Sequence, residues 1–150
     1  MKTTTISLLF TVFVIAAVTS CKKNSTPPPN NKSNTELLTQ KAWKFETRGL
    51  DENNNGTIEE SESDMLTCQL DDVFTFYTNS TGSYVTGSEQ CAPDDLNTTF
   101  NWYFASNETE LAIFAYPEKI SKLDENTLEI YTDDQNSQGQ PVKYITRFKH

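Results

Sequence analysis

The chain has 150 residues, with 21 Asp and Glu against 12 Lys and Arg, for a formal net charge of −9. No basic stripe is present to displace counterions from phosphates, so nucleic acid is disfavoured as a partner. Beyond the first twenty residues no segment is long and apolar enough to cross a bilayer as a helix, and the remaining length suits one hydrophobic core, not two.

The N-terminus opens with Lys2, continues through a mostly apolar stretch over residues 6–18 and ends in Val18-Thr19-Ser20-Cys21, followed by Lys22-Lys23-Asn24-Ser25. A basic start, a short apolar run and a small residue before the break are the marks of an export signal. This one resembles a bacterial lipobox, against the plainer reading of a secretory signal with a cysteine nearby. The resemblance implies removal of residues 1–20, lipid attachment at Cys21, and a chain tethered to the bacterial cell envelope, at the periplasmic or surface face of the outer membrane. Lys22 is not the aspartate that resembles an inner-membrane retention signal. Residues 21–34, with three consecutive prolines, are too polar to bury a core and read as a disordered tether, leaving residues 35–150 as the folded domain.

The domain opens with a helical turn expected over residues 36–40, then a first strand from Trp43, where Trp43-Lys44-Phe45-Glu46 alternates apolar and polar. Residues 51–62, DENNNGTIEESE, match a twelve-residue EF-hand-like loop. Such loops need oxygen donors at positions one, three and five, glycine at six, a carbonyl at seven and a carboxylate at twelve. Asp51, Asn53, Asn55, Thr57, Glu59 and Glu62 are therefore expected to ligate calcium, with Gly56 at the turn. The competing reading is a solvated Asn/Gly-rich turn. Cys68 and Cys91 are the two cysteines beyond Cys21, and in an exported chain a disulfide between them is expected over two buried thiols or a metal pair.

Period-two runs then place strands at residues 73–77, 83–86, 100–104, 111–115, 119–123, 127–131 and 142–148, with turns at Asn79-Ser80-Thr81-Gly82, Ser106-Asn107-Glu108 and Asp124-Glu125-Asn126 and a polar loop over 132–140. Eight short strands with hairpin-sized connections and no long amphipathic helix predict an all-β fold, an eight-stranded antiparallel up-and-down barrel, with a β-sandwich as the alternative.

The order of these motifs resembles the lipocalin-like lipoproteins of Bacteroidota. It runs from Leu37-Leu38-Thr39 before Trp43-Lys44, through an Asp/Asn/Gly-rich loop, Cys68 and Asp71-Asp72, to Phe74-Thr75-Phe76 before Thr81-Gly82, a second cysteine and Trp102. Lipocalins generally cover a first-strand tryptophan with a last-strand arginine. The resemblance implies that Arg147 lies over Trp43, although Lys41 stands where that family places a glycine. It also implies a small apolar ligand inside the barrel. Phe74, Phe76, Phe100, Trp102, Tyr103, Phe104, Phe114 and Tyr144 either line such a cavity or fill it, and the alternative role is a cell-surface interaction module with a packed barrel.

No catalytic motif is present, and the single histidine, His150, is the last residue and expected to fray. The carboxylate pairs Asp71-Asp72, Asp94-Asp95 and Asp133-Asp134 read as solvated. A non-enzymatic protein is expected.

Overall fold

The computed structural model describes residues 32–92 and 97–150. The leader, Cys21, nearly all of the tether and Asp94-Asp95 lie outside the described residues.

Eight antiparallel strands, each paired with its sequence neighbours and the last with the first, form a closed barrel. They are β1 (Trp43–Asp51), β2 (Val73–Phe76), β3 (Thr81–Val85), β4 (Thr98–Ala105), β5 (Glu110–Ile113), β6 (Tyr116–Leu123), β7 (Thr127–Gln135) and β8 (Pro141–Lys149). Closure leaves no long unpaired edge for another chain to extend. The barrel is thus the up-and-down form expected from the strand count, and the sandwich alternative is set aside.

A short helix, α1 (Asn34–Thr39), precedes the barrel. Ser33 caps it: its Oγ accepts the Glu36 N–H at 3.2 Å, and its own N–H donates to the Glu36 carboxylate at 2.8 Å. The helix therefore begins two residues before the expected turn. Leu37 and Leu38 are buried, and the Trp43 indole N–H donates to the Leu38 carbonyl at 2.8 Å, tying the helix across one end of the barrel. That end is closed. Trp43, Phe76, Phe100, Trp102, Leu111 and Leu128 pack the interior, and Phe76 meets Phe100 and Trp102 edge to face.

Two irregularities of β1 decide what faces the interior. Phe45 pairs with Phe148, but the next pair is Thr47 with Arg147, so Glu46 is an extra residue and the alternation reverses. Arg48 and Leu50 then stand opposite Thr146 and Tyr144 on the inner face. Asp51 goes outward. β1 also pairs with β2 over only Trp43 with Phe74 and Lys44 with Val73, and the rest of that edge is taken by the segment that follows, through Leu50 N–H to Glu62 O at 3.3 Å and Asp64 N–H to Arg48 O at 3.2 Å. Glycine is required at position 49, because a Cβ there would sit 2.1 Å from the Glu62 carbonyl oxygen.

β7 extends to Gln135, so the polar loop expected over residues 132–140 contracts to a tight turn after it. Asp133 and Asp134 belong to the ladder with Lys143 and Val142. Phe114 and Ala115, expected in the fifth strand, form the two-residue β5–β6 turn with φ of 53° and 71°. The sixth strand begins at Tyr116.

Candidate ligand-binding cavity

The end of the barrel opposite α1 carries the β1–β2, β3–β4, β5–β6 and β7–β8 connections. A cavity of about 320 Å³ opens there, walled by Phe45, Phe74, Ile113, Phe114, Ile130 and Phe148, with Tyr116 at the rim. A second hollow of about 320 Å³ shares Phe45, Arg48, Phe74 and Phe114 with it and extends towards Gln69, Tyr84 and Thr98. The walls are mainly apolar, and the volume lies at the lower end of the range for small-molecule pockets, roughly 300–1,000 Å³.

Four polar side chains enter the first cavity: Arg48, Glu118, Tyr144 and Thr146. Arg48 donates from Nε to Asp64 at 3.0 Å and from Nη2 to Gln69 at 3.3 Å, and its guanidinium lies over the Phe45 ring at 5.6 Å. The Tyr144 hydroxyl donates to the other Asp64 oxygen at 2.7 Å. Partial burial works against the charged Asp64 carboxylate, but the hydrogen bonds from Tyr144 and Arg48 outweigh it and hold this carboxyl below its usual range. Tyr144, desolvated and donating to that carboxylate, is pushed up to about 12. Glu118 stands apart. It has no hydrogen bond or ion pair among the described residues, and burial alone raises its pKa.

The loops around this mouth are braced. Cys68 and Cys91 form a disulfide, Cα to Cα 5.3 Å, joining the β1–β2 loop to the β3–β4 connection. Asp71 and Asp72 strengthen the same junction. The Asp71 carboxylate accepts from Ser88 N and Oγ at 2.7 and 2.9 Å, and its hydrogen bonds with Ser88 chiefly lower its pKa. Asp72, only 2% exposed, accepts from the Tyr84 hydroxyl and from Gly87 N at 3.0 Å. A Cβ on Gly87 would lie 1.9 Å from the Asp71 carboxyl carbon, so a larger residue there would displace the Asp71 side chain. This pair is a structural clamp and not the solvated pair expected. Asp133 and Asp134 are exposed, as expected, and Asp133 pairs at the surface with Lys119 at 2.5 Å.

The predicted calcium loop leaves β1 at Asp51, which is buried and accepts the N–H groups of Asn55 at 3.0 Å and Gly56 at 2.9 Å. Asn53 Oδ1 accepts from Asn55 N at 3.0 Å, Asn55 Oδ1 from Thr57 N at 2.7 Å, and Glu62 from Glu59 N at 3.0 Å. The side-chain amides of Asn53 and Asn55 lie 3.5 and 3.3 Å from a Glu59 oxygen. Among the described residues no three His, Cys, Asp or Glu side chains are grouped to hold a metal ion.

Arg147 does not cover Trp43. The alternation of β8 turns Arg147 outward, since its neighbour Phe148 faces the core, while Trp43 faces inward and is fully buried. Arg147 instead donates to Glu129 at 2.6 Å and to the Gly56 carbonyl at 3.3 Å. The ring on Trp43 is that of His150, at 3.8 Å between centroids, and a His150 ring nitrogen bonds to the Ala42 carbonyl at 2.8 Å. The terminal histidine is docked, not frayed.

Of the eight aromatics expected around a cavity, Phe74, Phe114 and Tyr144 line it. Phe76, Phe100 and Trp102 pack the closed part, Phe104 packs against them edge to face with Trp102, and Tyr103 faces outward, 49% exposed. Phe45, Arg48, Ile113, Tyr116, Glu118, Ile130, Thr146 and Phe148 also line it, beyond the aromatics expected from the sequence. Tyr116 and Glu118 alternate with Pro117 and Lys119, a period-two signal that was available, whereas the inward turn of Arg48 depends on the bulge.

No family model and no curated protein matches the chain. Among solved structures, a complex of bovine odorant binding protein with a selenium-containing odorant is similar to it at 14% identity and a TM-score of 0.41, over 79% of this chain and 73% of that one.

Proposed function

We propose that this chain is a non-enzymatic binding protein of the bacterial envelope, held at the membrane by lipid on Cys21, whose barrel takes a small and mostly apolar molecule into its open end. The observation that carries the reading is the cavity of about 320 Å³ lined by Phe45, Phe74, Phe114 and Phe148, in a barrel closed at the other end by α1. Burial of an apolar guest against these rings supplies roughly 25 cal/mol per Å². The deciding experiment is titration of the full-length chain, purified in detergent, with the neutral dye N-phenylnaphthylamine, beside native mass spectrometry of protein taken from its own membrane. Saturable dye binding at one site per chain is expected. Binding no greater than that of the detergent blank would return the barrel to a packed interaction module.

The anchor rests on Val18-Thr19-Ser20-Cys21. Cys21→Ser should release the protein from membranes, and unchanged partitioning would remove lipidation from the proposal.

Calcium is proposed as a structural ligand of residues 51–62, supported by the loop's oxygen donors and by its position along the edge of β1. Asp51, Asn53, Asn55, Glu59 and Glu62 would supply side-chain oxygens and Thr57 its carbonyl. A ligand that binds only the folded state adds RT ln(1 + [L]/Kd), about 2.7 kcal/mol at a hundredfold excess over Kd. Melting in calcium and in chelator should differ for wild type and for Glu60→Gln, and should coincide for Glu62→Gln. Coincidence for wild type would reduce the loop to a polar brace.

A further inference from the structure

Resting on the ligand-binding reading above, we propose that the cavity selects small amphiphilic cations, an ammonium group on an aromatic or aliphatic body, with Glu118 as the counter-ion. Glu118 projects from β6 into a cavity whose other walls are largely apolar, and it is half-buried. Among the described residues nothing donates a hydrogen bond to it. The cations nearby are engaged elsewhere: Arg48 is held by Asp64 and Gln69, and Lys119, the next residue along β6, faces outward to Asp133. A desolvated carboxylate without a partner is costly, and a ligand ammonium removes that cost while replacing no existing contact.

The surroundings favour the same charge. Phe74, Phe114 and Tyr116 set aromatic rings in the cavity wall, and an aromatic ring face attracts a cation through its quadrupole. An anionic ligand would meet Glu118 with only a neutralised Arg48 to offset it. At longer range the net charge of −9 raises the local concentration of cations. Burial already holds the Glu118 pKa above the usual carboxylate range, the condition that a bound ammonium would reverse.

The test is isothermal titration calorimetry of the full-length chain in detergent at neutral pH, using phenethylamine, phenethyl alcohol and phenylpropanoate, which share a ring and differ in the terminal group. The amine should bind at least about tenfold more tightly than the alcohol, as for a charge-assisted hydrogen bond in a desolvated site, and the carboxylate most weakly. Glu118→Gln should bring the amine down to the alcohol's affinity and leave the alcohol unchanged, which also shows that the variant is folded. Lys119→Gln, on the outer face of the same strand, should leave the ranking intact. Absence of an amine preference, through equal binding, no binding or a tighter carboxylate, overturns the amine proposal, as does a preference that survives Glu118→Gln. The neutral dye titration decides separately whether the cavity binds apolar molecules at all.

Discussion

Arg48, Asp64 and Tyr144 form one connected set at the open end, with Asp64 accepting from both neighbours. The folded state holds the Tyr144 proton up to about 12, against 10.0 as the ordinary value. The unfolded chain loses that proton first. Burial first and the hydrogen bond to Asp64 second disfavour the phenolate, so the contribution of Tyr144 to stability is complete below pH 10 and declines as pH rises towards 12. Denaturant melts across this window should show the decline in wild type and a smaller one in Tyr144→Phe; equal slopes would show that Tyr144 titrates normally. Asp64 acts in the opposite sense on the acid side. Its carboxyl is held below 3.8, so its contribution is present above that value and is lost as pH falls through the lower folded value. Asp64→Asn should flatten the acid limb, read from the same melts.

At the scale of elements, the β5–β6 turn stands out because neither of its central residues is Asn or Gly. Phe114 and Ala115 both adopt positive φ, and a non-glycine residue in that region costs roughly 1–2 kcal/mol. The turn retains Phe114 where its ring packs on Phe100 at 5.0 Å and forms the cavity wall. Replacing Phe114-Ala115 by Asn-Gly, the pair such hairpin turns prefer, should raise the melting temperature while weakening dye binding several-fold. A variant stabilised with full affinity would show that Phe114 is not part of the site. The bulge at Glu46 is the second decisive element, since it turns Arg48 inward and sends Asp51 out to its loop.

For the molecule as a whole, one end of the barrel is packed and the other is hollow. Thr146 lies on the hollow side and is nearly buried, so Thr146→Phe should fill the space from within. Dye binding should fall at least about tenfold while the melting temperature holds or rises, because added apolar surface occupies a void and displaces no packed side chain. Loss of binding together with a collapsed melting temperature would mean that the hollow is already filled by side chains in solution. The mouth does not depend on pairing between strands alone. The disulfide, the Asp71 and Asp72 clamp and the segment on β1 join the loops around it, which keeps an open rim shaped without a guest.

The strand count, the short first helix, the cysteine pair and most core aromatics were legible in the sequence because each follows from local period or spacing or, for the cysteines, from the expectation of an exported chain. Phe100, Trp102 and Phe104 alternate on one strand, and two such residues apart always share a face. What period two cannot reveal is an inserted residue. The Glu46 bulge reverses every face after it, so Arg48 became a cavity residue and Asp51 a loop cap only once β1 was paired with β8. The ends of strands misled for another reason: near the rim both faces meet water, so Thr132, Asp133, Asp134 and Gln135 look like a loop although their backbones are laddered to β8. Which ring lies over Trp43, and whether eight strands enclose a void, depend on register and volume around the whole barrel. Those are sums over residues distant in the chain, and only closure of the barrel sets them.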